Sequence, residues 1–400
     1  MHIPSAKTRL ELENCSLFIR FVLTDDGEGD CPALILKAHS QLLKDLVARN
    51  EFALAFGELA DSGPGIYSVK IYDGGEMPMF VWSIVHGERE VKAIERFRET
   101  GRCHIHLFNE TAVNVASAYG VAFSFEGEPT PNMTLATDTS EDELISHGQV
   151  WIYEVMLEMT PALHAIPDPL TTLWKEAIAI YPTDAGQHAA LSIVSANEGD
   201  QQEQLALWIT ENLEVGPIRS PQVLRNGKRR ELCDILFKYP DGAFLIESKS
   251  LAVFAEPVSR TQLARRVTKA VDKGIDQLSG ACRRIFAEDT ILDAGGQPID
   301  VPTDYSPHCI VLVPDLSLLE DRSDLDKTVF SQFLIEKSGY LHLLDTTELA
   351  SLVHSALYWS QNTAETPIAA FDAVLMRRWN IVNDKNTINV RYFLKLKTPG

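Results

Sequence analysis

Alternating apolar and polar positions divide the first part of the chain into strands and helices. Segments near residues 36–56 and 88–100 have the spacing of amphipathic helices, and five apolar runs predict strands. The five runs are CSLFIRFVL, GIYSVKIY, MFVWSIVH, CHIHLF and YGVAFSF. This mixture predicts a separate α+β domain at residues 1–128. Residues 129–142 are polar, rich in Pro and Thr and without a period, so we expect a linker there.

The rest of the chain combines longer helical periods with fewer apolar strands. Helices are predicted near 143–178, 199–213, 260–287, 346–359 and 367–378. The runs HCIVLVPDL and NVRYFLKLK predict strands, the first of them buried. A basic loop, RSPQVLRNGKRR, is expected before residue 231. We therefore expect an α/β domain at 143–400, in which a mixed sheet is flanked by helices and the functional core spans 198–315.

The composition is that of an ordinary globular protein, with 45% apolar and 23% charged residues. No apolar run reaches the length of a membrane span, and the first residues lack the apolar core of a secretory signal. The six cysteines are scattered without a CxxC spacing, which favours reduced thiols. These features predict a cytoplasmic protein that does not enter a membrane.

The formal net charge of −20 argues at first against nucleic acid as a partner, because an acidic surface repels a polyanion. The charge is unevenly distributed, however. Residues 215–290 contain 14 Lys and Arg against 9 Asp and Glu, so this segment is basic within an acidic chain. Nucleic acid therefore remains a candidate partner for this segment.

The most informative segment is ELCDILFKYPDGAFLIESKS, residues 231–250. Two apolar runs flank Tyr-Pro-Asp-Gly, which is typical of a type I turn, so we expect a β-hairpin. A tight turn pairs residues whose numbers sum to 481. This register places Asp234 opposite Glu247, and alternation puts Lys249 on the same face.

Two opposed carboxylates among apolar neighbours repel each other, so the arrangement favours a cation between them. Mg²⁺ prefers oxygen ligands and often takes only one or two carboxylates from the protein. Lys249 on the same face can stabilise charge that develops on a phosphate. The residues therefore predict a metal-dependent phosphodiester hydrolase. A surface hairpin in which Lys249 relieves the repulsion between the acids would have the same spacing.

The two strand sequences ELCDILF and LIESKS resemble the Asp strand and the Glu-x-Lys strand of the PD-(D/E)XK nuclease superfamily, which has the restriction-endonuclease-like fold. The resemblance covers residues 198–287 and departs from the family name at Cys233, which stands where proline is often found. It implies that Asp234, Glu247 and the Ser248 carbonyl bind Mg²⁺ or Mn²⁺. Lys249 would then be the catalytic lysine.

Many members of that superfamily carry a glutamate on the preceding helix and some carry a glutamine on the following one. Glu203 and Gln277 occupy the matching positions and are the remaining predicted site residues. An exposed helix glutamate and a polar helix flank are the plain alternatives for these two.

Basic side chains around the hairpin are the predicted nucleic-acid contacts. Arg265, Lys269 and Lys273 follow one another at steps of four along one helix face, which suits phosphates but also an ordinary solvated surface. The expected basic loop adds Arg219, Arg225, Lys228, Arg229 and Arg230. We expect DNA rather than RNA as the substrate.

The alternative function is a nuclease-like fold that only binds nucleic acid or serves as a scaffold subunit, and a plain interaction protein is a third reading. The architecture resembles proteins of prokaryotic defence systems or mobile elements. The acidic N-terminal domain is expected to serve recognition or regulation, through a second copy or a partner subunit. His104 and His106 form a His-x-His pair for which a structural role is favoured, since no further ligands are visible. The motifs of ATPases, dinucleotide enzymes, zincins and α/β-hydrolases are missing from the sequence.

Overall fold

A computed structural model divides the chain into two compact units, one mainly Met1–Ala179 and the other mainly Asn197–Ala252 and Thr261–Gly400. The mixed α/β class predicted from the sequence is confirmed. The structure describes residues 8, 11–12, 15, 17–25, 30–59, 63–72, 78–127, 131, 133–135, 141–157, 159–177, 179–182, 188–191, 193, 198–213, 215–225, 227–250, 260–319 and 328–385. Within these ranges every helix is too short or too polar to span a membrane.

The first unit is built on one mixed sheet. Its elements are β1 (Phe18–Asp25), β2 (Asp30–Lys37), α1 (Ser40–Arg49), β3 (Phe52–Glu58), β4 (Gly65–Ile71), β5 (Met79–Ile84), α2 (Glu88–Thr100), β6 (Arg102–Phe108), β7 (Asn114–Glu126), α3 (Glu141–Met156), β8 (Leu163–Pro167) and β9 (Trp174–Glu176). The strand order is β1-β2-β6-β7-β8-β3-β4-β5, and β9 pairs with β7. The core of this sheet contains Phe21, Phe56, Tyr67 and Phe97, all fully buried.

Two predicted helices of this region are wrong in part. The helix expected at 36–56 ends at Arg49, and the last part of that range is strand β3. The helix expected at 143–178 ends at Met156, and β8 and β9 follow it. These short strands are stabilised by pairing with β3 and β7, which are distant in sequence, so no local period indicates them.

The first unit also extends beyond the predicted domain end at residue 128. It continues to Ala179, because β8 and β9 complete its sheet. Within the expected linker 129–142, Met133 is buried in the core of this unit, and the Gly65 N–H donates to the Thr134 carbonyl at 2.9 Å. The described part of that segment therefore packs against the first unit.

The second unit has a central mixed sheet and two smaller sheets among its described residues. The described elements after Glu176 are β10 (Ala179–Pro182), β11 (His188–Leu191), α4 (Glu198–Thr210), β12 (Ile218–Arg219), β13 (Gln222–Arg225), β14 (Lys228–Glu231), β15 (Ile235–Tyr239), β16 (Gly242–Ser248), α5 (Arg260–Phe286), β17 (Ile291–Leu292), β18 (Pro298–Ile299), β19 (His308–Val313), α6 (Thr328–Lys337), β20 (Tyr340–Asp345), α7 (Thr346–Asn362) and α8 (Pro367–Lys385). The central order is β12-β15-β16-β19-β20, the four-stranded sheet has the order β14-β13-β17-β18, and β10 pairs with β11. Strand β16 runs antiparallel to β15 and parallel to β19. The predicted strand NVRYFLKLK lies outside the described residues.

The predicted apolar helix faces of this unit are confirmed. Leu205, Ile209 and Leu213 are buried, as are Leu263, Val267, Leu278, Ala281 and Ile285 along α5. A Cβ atom at Gly274 would meet Val311 Cγ1 at 2.8 Å. Glycine at this position therefore allows α5 to pass directly over β19, close to the end of the hairpin.

A hydrogen-bond network fixes the turn end of the hairpin. The Tyr239 hydroxyl donates to Asp372 Oδ1 at 2.5 Å, and His308 Nε2 lies 2.9 Å from the same oxygen. Because Asp372 belongs to α8, this network ties that helix to the central sheet. The candidate catalytic residues lie at the opposite, open end of the same hairpin.

The expected basic loop is wrong, because its residues form a second hairpin. Strands β13 and β14 pair Arg225 with Lys228 and Gln222 with Glu231. Every residue of β14 is exposed, so this strand lacks the apolar alternation by which strands are predicted. The Asn-Gly dipeptide at 226–227 was the available signal for a two-residue hairpin connection.

Candidate active site

The predicted register of the acidic hairpin is confirmed. Strands β15 and β16 pair from Tyr239 with Gly242 to Ile235 with Ile246, so paired numbers sum to 481. Asp234 directly precedes β15 and lies in a bend, and Glu247 follows Ile246 on β16. The register therefore brings these two carboxylates to the same end of the hairpin, with Asp234 just outside the paired strand.

Backbone contacts hold both sides of this pair. The Ser248 N–H donates to Asp234 Oδ2 at 2.6 Å, and the Ser220 N–H donates to the Asp234 carbonyl at 2.8 Å. The Lys249 N–H donates to the Leu312 carbonyl at 2.8 Å, which continues the parallel pairing of β16 with β19. The carboxylate and the lysine are therefore positioned by sheet backbone rather than by a loop.

Glu247 is the most buried member of the site, with 1% of its surface exposed. Its Oε1 accepts from the Lys249 ammonium. Its Oε2 is buried and has no hydrogen-bond partner among the described residues. Burial and then the charge of Asp234 raise the pKa of Glu247 to about 7, although Lys249 opposes the shift. A cation at Oε2 would oppose both the effect of burial and the repulsion by Asp234, and would therefore lower the pKa of Glu247.

The environment of Asp234 is similar but more polar. Burial raises the pKa of Asp234, while the Lys249 ammonium, the Ser248 N–H and the Lys273 ammonium lower it. Lys273 of α5 therefore lies close enough to act on this carboxylate. The structure thus brings together four predicted site residues: Asp234, Glu247, Ser248 and Lys249.

Glu203 of α4 belongs to the same electrostatic cluster. Burial raises its pKa, the charge of Asp234 raises it further, and Arg219 lowers it. The Arg219 guanidinium lies 2.6 Å from Asp200 Oδ1 and 3.6 Å from Glu203 Oε2. Since Arg219 lies on β12, beside β15, it links α4 to the strand that follows Asp234. Sequence reasoning assigned Arg219 to phosphates, but the structure pairs it with the acidic face of α4.

We expect Arg219→Met to raise the pKa of Glu203, because the substitution removes the cation that lowers it. Titration of ¹³C-labelled glutamate side chains measures this shift, with Glu203→Gln to assign the resonance. The loss of stability should stay below about 1 kcal/mol, since Arg219 is 40% exposed and exposed ion pairs contribute little. Lys228→Met is the matched control on a neighbouring strand. An unchanged Glu203 titration in Arg219→Met would contradict this account of the cluster.

The other predicted basic residues whose side chains are described lie at exposed positions around the site. Lys269 and Arg265 are exposed on α5, and Lys228, Arg229 and Arg230 are exposed on β14. Arg230 lines a cavity beside Glu247. The Arg229 guanidinium lies next to Gly296, where a Cβ atom would meet its Nη2 at 2.8 Å. The side chain of Arg225 is outside the described part of the structure.

Two further residues, Gln277 and Glu231, lie around the carboxylates, and Glu231 was not predicted from the sequence. Gln277 is exposed on α5 and lines the cavity that contains Glu247. Glu231, at the end of β14, lines it too, and its charge raises the pKa values of Glu203, Asp234 and Glu247. Glu231 lies near the acids because of the β13–β14 hairpin, which was expected to be a loop, so no sequence signal selected this residue.

The residues at the hairpin end suit a hard divalent cation with few protein ligands. Asp234 and Glu247 offer carboxylate oxygens, and Glu247 Oε2 is buried without a hydrogen-bond partner in the described part of the chain. Across the described ranges, no three His, Cys, Asp or Glu side chains form a group that could hold a metal ion. A cation here would therefore rely on two carboxylates completed by the Ser248 carbonyl and water, as Mg²⁺ allows.

The His-x-His pair of the first unit has structural partners. His106 Nδ1 lies 2.9 Å from Ser117 Oγ, and the Gly120 N–H donates to His104 Nδ1 at 2.8 Å. Both rings also contact Tyr119. These contacts agree with the structural role that the sequence favoured.

No protein-family model, curated protein or solved structure matches the chain. The geometry of the hairpin and its neighbours is therefore the basis for any functional assignment.

Proposed function

We propose that this protein is a metal-dependent nuclease that hydrolyses phosphodiester bonds, in DNA rather than RNA. One observation carries the proposal: Glu247 is buried at the hairpin end where the charge of Asp234 acts on it, and beside Lys249 it keeps one oxygen without a partner among the described residues. A purely structural hairpin would gain nothing from this arrangement, because it leaves the buried Glu247 and the partly buried Asp234 in mutual repulsion. We also propose that the second unit has the restriction-endonuclease-like fold of the PD-(D/E)XK superfamily.

The roles of the residues follow from their contacts. Asp234, Glu247 and the Ser248 carbonyl would hold Mg²⁺ or Mn²⁺, with Glu203 adding negative charge through water. When bound, such a cation activates water and neutralises charge on the phosphate. Lys249 keeps the Glu247 carboxylate oriented, and its ammonium can stabilise charge that builds on the phosphate oxygens.

The nucleic acid would approach along the basic residues that surround the hairpin. Lys273 and Lys269 lie on α5, and Lys228 and Arg230 lie on β14. Contacts with phosphates fix the position of a nucleic acid without reading its sequence. We assign recognition or regulation to the acidic first unit, through a second copy or a partner subunit. A cytoplasmic location agrees with the six free cysteines. We also propose a role in prokaryotic defence or in a mobile element.

The test is cleavage of supercoiled plasmid and of single-stranded DNA and RNA with Mg²⁺, Mn²⁺ or EDTA. We expect metal-dependent cleavage by the wild type and a loss of at least about a hundredfold in Asp234→Asn. The substitution keeps the size and an acceptor for the Ser248 N–H but removes the charge. Asp241→Asn, an exposed acid at the turn of the same hairpin, is the control. Binding of nucleic acid without cleavage under any metal would favour the binding-only alternative.

A further inference from the structure

A cavity of about 200 Å³ opens between α5 and the β13–β14 hairpin, directly beside Glu247. Gln277, Gly280 and Arg284 line it from the helix, and Arg230 and Glu231 line it from the hairpin. The cavity is smaller than the pockets that hold drug-sized ligands, which start at about 300 Å³. Its size suits a single small ring system.

Gly280 leaves this cavity open. A Cβ atom built on Gly280 meets no atom of the described residues within 4 Å, in contrast to Gly274 of the same helix, whose neighbour Val311 leaves no room. Glycine inside a helix costs about 1 kcal/mol relative to alanine. The described neighbours of Gly280 do not require glycine, because a Cβ atom would fit there. Glycine at this position does keep the cavity open.

The charges around the cavity restrict what it can bind. Two cations, Arg230 and Arg284, are balanced against three acids, Glu231, Glu247 and Asp276. A phosphate would meet a lining of net negative formal charge. The lining instead offers donors and acceptors for an uncharged polar ligand.

The remaining lining residues of the cavity further restrict the ligand that it can bind. Val223, Leu232 and Ala281 contribute apolar surface, while Gln277 can both donate and accept hydrogen bonds. Six of the eleven lining residues are charged or polar, so hydrogen-bonding groups lie beside apolar surface, and this combination suits a flat heteroaromatic ring with a polar edge. A nucleobase has this chemistry.

We propose that the cavity binds one unpaired nucleobase of the substrate, next to the phosphodiester bond that is cut. This inference rests on the proposed nuclease function and names its substrate class as single-stranded or flap-bearing nucleic acid. A base must leave its stack and its partner to enter such a cavity, so single strands bind at the lowest cost. Arg230, Gln277 and Arg284 contact the base edge, and Glu247 lies where the base and the cleavage site meet.

The experiment measures binding of fluorescein-labelled single-stranded DNA by anisotropy in EDTA, where metal binding has no influence. Gly280→Ala and Gly280→Leu fill the cavity in two steps while improving helix propensity. We expect Gly280→Leu to weaken binding about tenfold or more, as loss of a base contact does, and Gly280→Ala to weaken it less. The matched control is Ala287→Leu, an exposed residue just beyond α5 that does not line the cavity. Circular dichroism checks that each variant folds.

A second probe has the same strand with one abasic position. Weaker binding of the abasic strand by the wild type, but not by Gly280→Leu, is the expected pattern. Equal binding of all variants, or no binding of single strands by the wild type, would overturn the cavity assignment. Failure of the nuclease proposal is separate, because it shows as missing Mn²⁺ binding and missing cleavage in the wild type.

Discussion

Lys249→Met is expected to reduce phosphodiester cleavage by about a hundredfold to a thousandfold while leaving nucleic-acid binding nearly unchanged. Loss of one group that stabilises transition-state charge typically has an effect of this size. Lys249 is 13% exposed and bonded to Glu247, so its ammonium is held in place beside the carboxylates. Methionine keeps most of the chain length and removes the charge.

The same substitution should change the pH dependence of any remaining activity. Lys249 lowers the pKa values of both Asp234 and Glu247, so its removal moves their ionisation to higher pH. Rates measured from pH 6 to 9 and binding measured in EDTA separate this effect from a loss of affinity. Lys238→Met, an exposed lysine on β15, is the control. A rate close to wild type in Lys249→Met would remove this lysine from the mechanism.

Glu247→Gln is expected to stabilise the metal-free protein at high pH. Burial and Asp234 raise the pKa of Glu247 to about 7 from its ordinary value of 4.5. The folded state therefore holds this proton more tightly than the unfolded state. Stability linked to Glu247 is complete below about pH 4.5 and is lost as the pH rises towards 7. Glutamine stays neutral and avoids that loss.

The expected gain at pH 8 is about 3 kcal/mol, because the shift of the Glu247 pKa from 4.5 to about 7 already includes the opposing effect of Lys249. Urea denaturation in EDTA at pH 5 and pH 8 measures the difference, and the gain at pH 5 should stay below about 1 kcal/mol, because that pH is only slightly above the ordinary pKa of 4.5. Added Mn²⁺ should stabilise the wild type and not the variant. Equal destabilisation of Glu247→Gln at both pH values would mean that the buried carboxylate is structural.

Local rules of strand pairing explain why the centre of the site was predictable from the sequence. Pro240 and Gly242 define the turn, and a period of two then fixes which side chains face each other. Asp234, Glu247 and Lys249 follow from that register alone. The buried faces of α4 and α5 were predictable for the same reason, because helical spacing is also a local property.

The surroundings of the site depend on contacts between distant segments. Glu231 reaches the acids only because β14 pairs with β13, and β13 in turn pairs with β17. The pairing of Arg219 with Asp200 joins a strand to a helix, and the cavity at Gly280 needs α5 beside the hairpin. No local period encodes such approaches. The strands β8 and β9 were missed for the same reason, since their partners lie far away in the sequence.

The most direct test of a cation site at Asp234 and Glu247 is calorimetric titration of the full chain with Mn²⁺ at pH 8. The wild type should show one saturable site, and Asp234→Asn should bind Mn²⁺ at least about tenfold more weakly. A wild type that takes up no Mn²⁺, or an Asp234→Asn variant that binds it equally well, would contradict the metal-dependent mechanism proposed for this hairpin.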